Sequence, residues 1–186
     1  VVAVPLTIVV AIVAVMYFTP DSADEPAAAP SATQPAVIPS APVQMAAPAL
    51  GERQKQVCLA VTSQLPNAVR DLPARKVSAG PEQNAAYGEP ALTVACGVTQ
   101  PVVCKTMTDT DGCVPMDTEL LNMDQVCWYA SQQDASTTFT TMDREVAVAV
   151  TVPNAYEQPA QWANEFSRAV VETVTSRATG TPYGCV

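Results

Sequence analysis

Three hydrophobic patterns succeed one another along the chain. Val1–Phe18 reads VVAVPLTIVVAIVAVMYF, with Thr7 the one clearly polar side chain. Eighteen helical residues rise about 27 Å, close to the thickness of a hydrocarbon core, so the run predicts one transmembrane helix over 1–18. Pro5 falls in the first turn, where a missing N–H costs little, and Tyr17 and Phe18 fall where an interfacial aromatic belt belongs. Thr19–Leu50 then holds seven prolines and ten alanines in 32 residues with almost no hydrophobic bulk, which predicts an extended, polyproline-like tether over 19–50.

Alternating and helical periods begin after Gly51. Val57, Cys58, Val61 and Leu65 recur at helical spacing, predicting an amphipathic helix over 52–64 stopped by Pro66. Leu92, Val94, Cys96 and Val98 alternate, predicting a half-buried strand after the Gly88-Glu89-Pro90 turn. Val126–Ala130 reads as a strand carrying Trp128. Thr137–Thr141 and Glu145–Val152 read as two strands joined around Met142-Asp143-Arg144, the second apolar enough to be central. Trp162, Phe166, Ala169, Val170 and Val174 mark one face of a final helix over 160–176. The fold class expected for 51–186 is α+β, an antiparallel sheet with helices on one face.

Charge sets the orientation. Asp21, Asp24 and Glu25 follow the apolar run, and the first basic residue is Arg53. Cytoplasmic flanks are rich in Lys and Arg, so the chain after residue 18 is expected outside the plasma membrane, with the protein single-pass and its C-terminal domain extracytoplasmic. A cleaved signal peptide, for which Ala27–Ala29 offers an A-x-A-like site, is the rival; the expectation here is a retained anchor. The net charge of −9 and a pI near 4.3 argue against nucleic-acid binding and against adhesion to anionic lipid, and fit a basic protein partner or simple solvation.

The six cysteines, Cys58, Cys96, Cys104, Cys113, Cys127 and Cys185, all follow the tether, which in an oxidising compartment reads as three disulfides. Neither C-x-x-C pairs nor any histidine is present to support a metal site. Fifteen pairings are open. One that suits the predicted elements joins Cys58 to Cys96, clipping helix to sheet, Cys104 to Cys113 across a small loop, and Cys127 to Cys185, tying the tail to a strand.

Three segments together resemble an actinobacterial family of membrane-anchored secreted proteins known only as a domain of unknown function. They are C-L-A-V-T-S-Q-L-P with D-L-P-A-R over 58–75, A-A-Y-G-E-P-A over 85–91 running into A-C-G-V and Pro101, and F-T-T-M-D-R over 139–144 running into V-A-V-A-V-T-V-P. The family usually has Trp where Tyr87 stands and Gly where Asp143 stands. Its two core cysteines match Cys58 and Cys96, which implies that these two are bonded to each other; the other four are additions. The resemblance implies an extracytoplasmic place in a high-GC Gram-positive envelope and brings no catalytic activity.

Candidate chemistry is sparse. Without histidine the commonest general base and metal ligand are missing. Asp109-Thr110-Asp111-Gly112 mimics part of a calcium loop, but aligning Gly112 to the invariant glycine puts Met107 at position 1 and Thr118 at position 12, where carboxylates are needed; with Asp117, Glu119 and Asp124 it reads as an acidic turn. Lys105 beside Cys104 is a faint signal for a reactive thiolate against a structural disulfide. Trp128, Trp162 and Phe166 sit at core spacings rather than on a platform. Arg144 is the residue most suspected of a specific role, with a hairpin salt bridge as the plainer account. No catalytic residue, cofactor or metal ligand is assigned. The expected function is a non-enzymatic accessory or assembly subunit of a large plasma-membrane complex, with the actinobacterial cytochrome bcc–oxidase respiratory supercomplex the concrete candidate. Its expected partners are integral membrane subunits gripped by the anchor, where Ala3, Ala11 and Ala14 permit close approach, and by the tether. The alternative is a free-standing envelope protein binding a cell-wall or lipid ligand; a thiol–disulfide enzyme is a third class.

Overall fold

In the computed structural model, which describes residues 40–109, 111–182 and 184–185, the elements are α1 (Glu52–Gln64), β1 (Ala68–Val69), β2 (Leu72–Arg75), β3 (Asn84–Tyr87), β4 (Leu92–Val98), β5 (Leu121–Met123), β6 (Val126–Gln132), β7 (Ser136–Thr141), β8 (Ala147–Pro153), α2 (Pro159–Asn164) and α3 (Ser167–Thr173). The predicted anchor and residues 19–39 of the predicted tether lie outside the described residues. No helix among the described residues is long and apolar enough to cross a membrane.

The eight strands form one antiparallel sheet in the order β1-β2-β3-β4-β8-β7-β6-β5. It is two meanders, β1–β4 and β5–β8, joined where β4 pairs with β8, so β8 is central as its composition implied. Registers Val94↔Val150, Phe139↔Val150 and Ala130↔Phe139 place the bulky side chains on one face. That face meets Val57, Cys58 and Val61 of α1, Ala163 of α2 and Val170 of α3 in one core with Trp128, Tyr87 and Phe166. β-Branched and aromatic residues pack well on a pleated surface, which is why V-A-V-A-V-T-V forms the spine. The other face carries mostly small residues: Thr93, Thr151, Thr138 and Ser131 in one cross-strand row, Ala95, Ala149 and Thr140 in the next, which ends on the larger Tyr129.

The α+β class, the antiparallel sheet and the disulfide staples stand as expected. The single C-terminal helix does not. The helix stops at Asn164 and restarts at Ser167. Phe166 N–H bonds back to Ala163 O at 3.1 Å, tightening one turn so that Ala163 and Phe166 both enter the core. Glu165 is drawn outward to Arg70 Nε at 2.8 Å, and Ser167 Oγ accepts from Trp128 Nε1 at 3.1 Å. Tertiary partners outweigh helical continuity here.

The C-terminal part of the tether also differs. The compact unit runs Ile38–Val186, so the boundary lies before residue 51. Residues 41–50 form no helix and meet Val77 through one parallel bridge at Val43, and several of their backbone groups are bonded to this same unit rather than left for a partner. Val43 N–H bonds to Lys76 O at 2.8 Å, Ser78 N–H to Val43 O at 2.9 Å, and Met45 N–H to Ser78 Oγ at 3.0 Å. Asn84 Nδ2 donates to Ala46 O at 2.9 Å and Gln83 Nε2 to Pro48 O at 3.3 Å. Leu50 closes the strap over Gly97, a positive-φ residue at the β4 bulge, where a Cβ would come within 2.6 Å of the leucine methyl.

Candidate functional site

The six predicted site residues are all cysteines, and the structure closes them into Cys58–Cys96, Cys104–Cys113 and Cys127–Cys185, with Cα separations of 5.4, 5.0 and 5.2 Å. The three bridges serve three places. The first ties α1 to β4 within the main core. The second bridges a sequence separation of 9 in the lobe between β4 and β5. The third holds the C-terminal tail on β6, where Cys127, Met142 and Val114 form a second, small core with Val103, Leu120, Tyr129 and Cys185 around it. No cysteine is free, so a resting dithiol is absent.

The buried guanidinium and phenol groups are bound to main chain, and the buried Asp143 carboxylate faces one of those guanidiniums. Arg75 ends β2 with its side chain 6 % exposed. It donates to Gly88 O at 3.0 Å and Ala41 O at 3.1 Å and pairs with the Glu89 carboxylate, so it gathers strap, β2 and the β3–β4 turn, which holds a cis Glu89–Pro90 bond. Tyr156 Oη closes the same corner on Pro90 O at 2.6 Å. D-L-P-A-R and A-A-Y-G-E-P-A thus meet at one corner, and it is the corner where the strap enters. Tyr87, next to that turn, donates its hydroxyl to Pro66 O at 2.9 Å, and burial pushes its phenol up to about 12.

Arg144 is not part of a surface hairpin salt bridge. Its side chain is 5 % exposed and its guanidinium donates to Val174 O at 3.2 Å and to Gln125 O, with Asp143 Oδ1 at 3.4 Å from Nε. The β7–β8 connection, the turn after β5 and the end of α3 are knotted there. Arg70 was not singled out in the sequence. It occupies positive φ, +54°, in the two-residue β1–β2 turn, strained for a long side chain. Glu165, Gln161 O at 3.3 Å and the Trp162 ring, 4.3 Å from its guanidinium carbon, hold it. Trp128 and Phe166 are fully buried; Trp162 is half-buried between Arg70 and Tyr156, whose ring centroid is 5.0 Å away.

Clefts are open and shallow. One of about 430 Å³ lies between α1, β1 and α3, lined by Gln64, Val69, Arg70, Glu165 and Glu172. Another of about 430 Å³ runs beneath the strap, lined by Met45, Ala46, Pro48, Ala95 and Val98. A third, about 410 Å³, lies in the lobe beside Cys104–Cys113, with Val102, Lys105, Asp109 and Asp111 around it. Among the described residues no three Asp, Glu or Cys side chains stand close enough to hold a metal ion. Asp109, Asp111, Asp117, Glu119 and Asp124 are all exposed, and Asp109 instead accepts from Thr106 N–H at 3.1 Å.

No curated protein and no solved structure matches the chain. The profile of one family, described as "Protein of unknown function (DUF3515)", matches residues 1–179. That span takes in nearly the whole sequence, including the three segments on which the resemblance was read, and the chain therefore belongs to the DUF3515 family.

Proposed function

We propose that the protein is a non-enzymatic accessory or assembly subunit of a large plasma-membrane complex, anchored by residues 1–18 and displaying the disulfide domain outside. The observation that carries this reading is the fate of the buried ionisable side chains. Arg75 and Arg144 bind backbone carbonyls and the neighbouring carboxylates Glu89 and Asp143, and they sit in corners that join elements rather than at a cleft. Such residues build a rigid module for display. Three disulfides fit an oxidising exterior, and the apolar run of 18 residues with an acidic flank fits a single pass into it. The actinobacterial cytochrome bcc–oxidase supercomplex is the particular assembly proposed.

The test is mild detergent extraction through a tag after Val186. The subunit reading expects the complex at a fixed ratio to the protein, and a disulfide-requiring reporter fused at the same point to be active. An inactive reporter refutes the outward domain. A protein that runs alone supports the second reading, an envelope protein binding a lipid or cell-wall ligand, which the apolar-walled cleft beneath the strap favours.

A further inference from the structure

The lobe between β4 and β5 concentrates features that the rest of the domain lacks. Among the described residues four large apolar side chains are exposed, and three of them, Val102 (63 %), Met107 (72 %) and Met116 (51 %), stand on this lobe. Folding gains nothing from Met107 in water, and exposed apolar side chains gathered on one protrusion are a mark of a contact surface. The protrusion is not slack. Cys104–Cys113 closes it, Cys104 N–H bonds to Val114 O at 2.9 Å and Val114 N–H to Val102 O at 2.8 Å, and Val114 is buried on Cys127 and Met142. A backbone already pinned adds little ordering cost on binding, so the entropy lost there is mainly that of the side chains themselves.

Charge identifies the partner. Residues 101–124 carry five carboxylates against one cation, Lys105, and so hold −4 of the −6 that nine cations and fifteen carboxylates leave on residues 40–186. Elsewhere in that span six of ten carboxylates are ion-paired, Glu52, Glu89, Asp143, Glu145, Glu165 and Glu172. None of the five on the lobe is. Outside the lobe most acids are paired and the four that are not, Asp71, Glu82, Asp134 and Glu157, are spread along the chain; on the lobe five unpaired acids fall within 16 residues.

We propose that this lobe docks a basic protein surface, with Met107, Met116 and Val102 entering an apolar recess and the carboxylates facing Lys or Arg around it. The proposal rests on the subunit reading and gives it a contact outside the membrane. An anionic lipid surface is repelled by the same charges, and a second copy of the chain would set five carboxylates against five. Thioethers are polarisable and adapt to an irregular recess, which suits the two exposed methionines of the lobe.

The experiment uses the full chain in its own host, grown with a diazirine analogue of methionine, irradiated, then extracted through a C-terminal tag. Cross-links from Met107 or Met116 are expected to map to a Lys/Arg-rich segment of a subunit of the co-purified complex. Two variants are run beside it, Asp109→Asn/Asp111→Asn/Asp117→Asn/Glu119→Gln and Met107→Ser/Met116→Ser, both with exposed substitutions and with disulfides checked by non-reducing peptide mapping. Each is expected to lower retention of the complex about tenfold, and only the acidic-to-amide variant to lose the salt dependence of retention. Retention equal to wild type in both variants overturns the lobe and leaves the subunit reading standing. A wild-type protein recovered alone overturns both. Saturable calcium binding by the wild type, lost in the amide variant with retention unaffected, assigns the acids to the ion and also overturns the proposal.

Discussion

Arg144 shows what a buried charge does when its partners are carbonyls. Replacing it with Met leaves Gln125 O and Val174 O without a donor and Asp143 buried without a cation, a loss of about 3–5 kcal/mol. Adding Asp143→Asn removes the stranded charge, so the double variant should unfold at a higher denaturant concentration than Arg144→Met alone; equal midpoints would show that Asp143 is not coupled to it. Tyr87 gives a prediction in pH. Burial holds its phenol protonated to about 12, above the ordinary value of 10.0, so the native state keeps a proton that the unfolded chain releases. Its contribution is complete below pH 10 and declines as pH rises toward about 12, roughly 2–3 kcal/mol in all. Denaturant midpoints measured across that interval should fall in the wild type and much less in Tyr87→Phe. Cysteine roles were readable from number and placement, because a disulfide leaves its mark on residue identity. Arg144 and Arg70 were not, because their partners are largely main-chain atoms and one ring, contributed by segments far along the chain.

Elements built on alternation of large and small side chains were legible. α1, β4, β6 and β8 each present at least two Val, Leu or Trp at a clear period, and β7 sets Phe139 in a run of strand-favouring threonines. β1, β2, β3 and β5 were missed. They have two to four residues, and sequences such as L-P-A-R and N-A-A-Y hold no period to read. They are strands because neighbours pair with them. The strap over 41–50 was invisible for a related reason: its composition forbids a core of its own, but Ser78, Gln83 and Asn84 supply side-chain partners that imitate a neighbouring strand. Asn84→Ala removes donors to Ala46 O and Ala79 O from a buried site, a cost of about 1–3 kcal/mol. Limited proteolysis should then cut within 41–50 at least ten times faster while the disulfide map stays unchanged; protection equal to wild type would mean that Asn84 does not hold the strap.

At the scale of the molecule, two meanders share one seam, and the disulfides, strap and lobe are arranged around it. The boundary follows. A chain beginning at Ser40 should unfold at the same temperature as the domain in the full protein. One beginning at Gly51 should lose about 2–4 kcal/mol, since the strap's hydrogen bonds to Lys76, Ser78, Gln83 and Asn84 and the cover of Leu50 over Gly97 go together, and its midpoint should fall by roughly 5–10 °C. Calorimetry of the two decides whether residues 41–50 belong to the fold or merely lie on it. The strap also governs where force enters. Any pull arriving along the chain from before Ser40 meets Arg75, Lys76 and Ser78 well ahead of α1 and the Cys58–Cys96 bridge. Peeling the strap frees some ten residues of chain while the seam, the helices and all three bridges remain closed. Like the sleeve where a cable joins its plug, this short run absorbs tugging that would otherwise reach the joint itself, so a domain dragged by its leash turns and slackens before it opens.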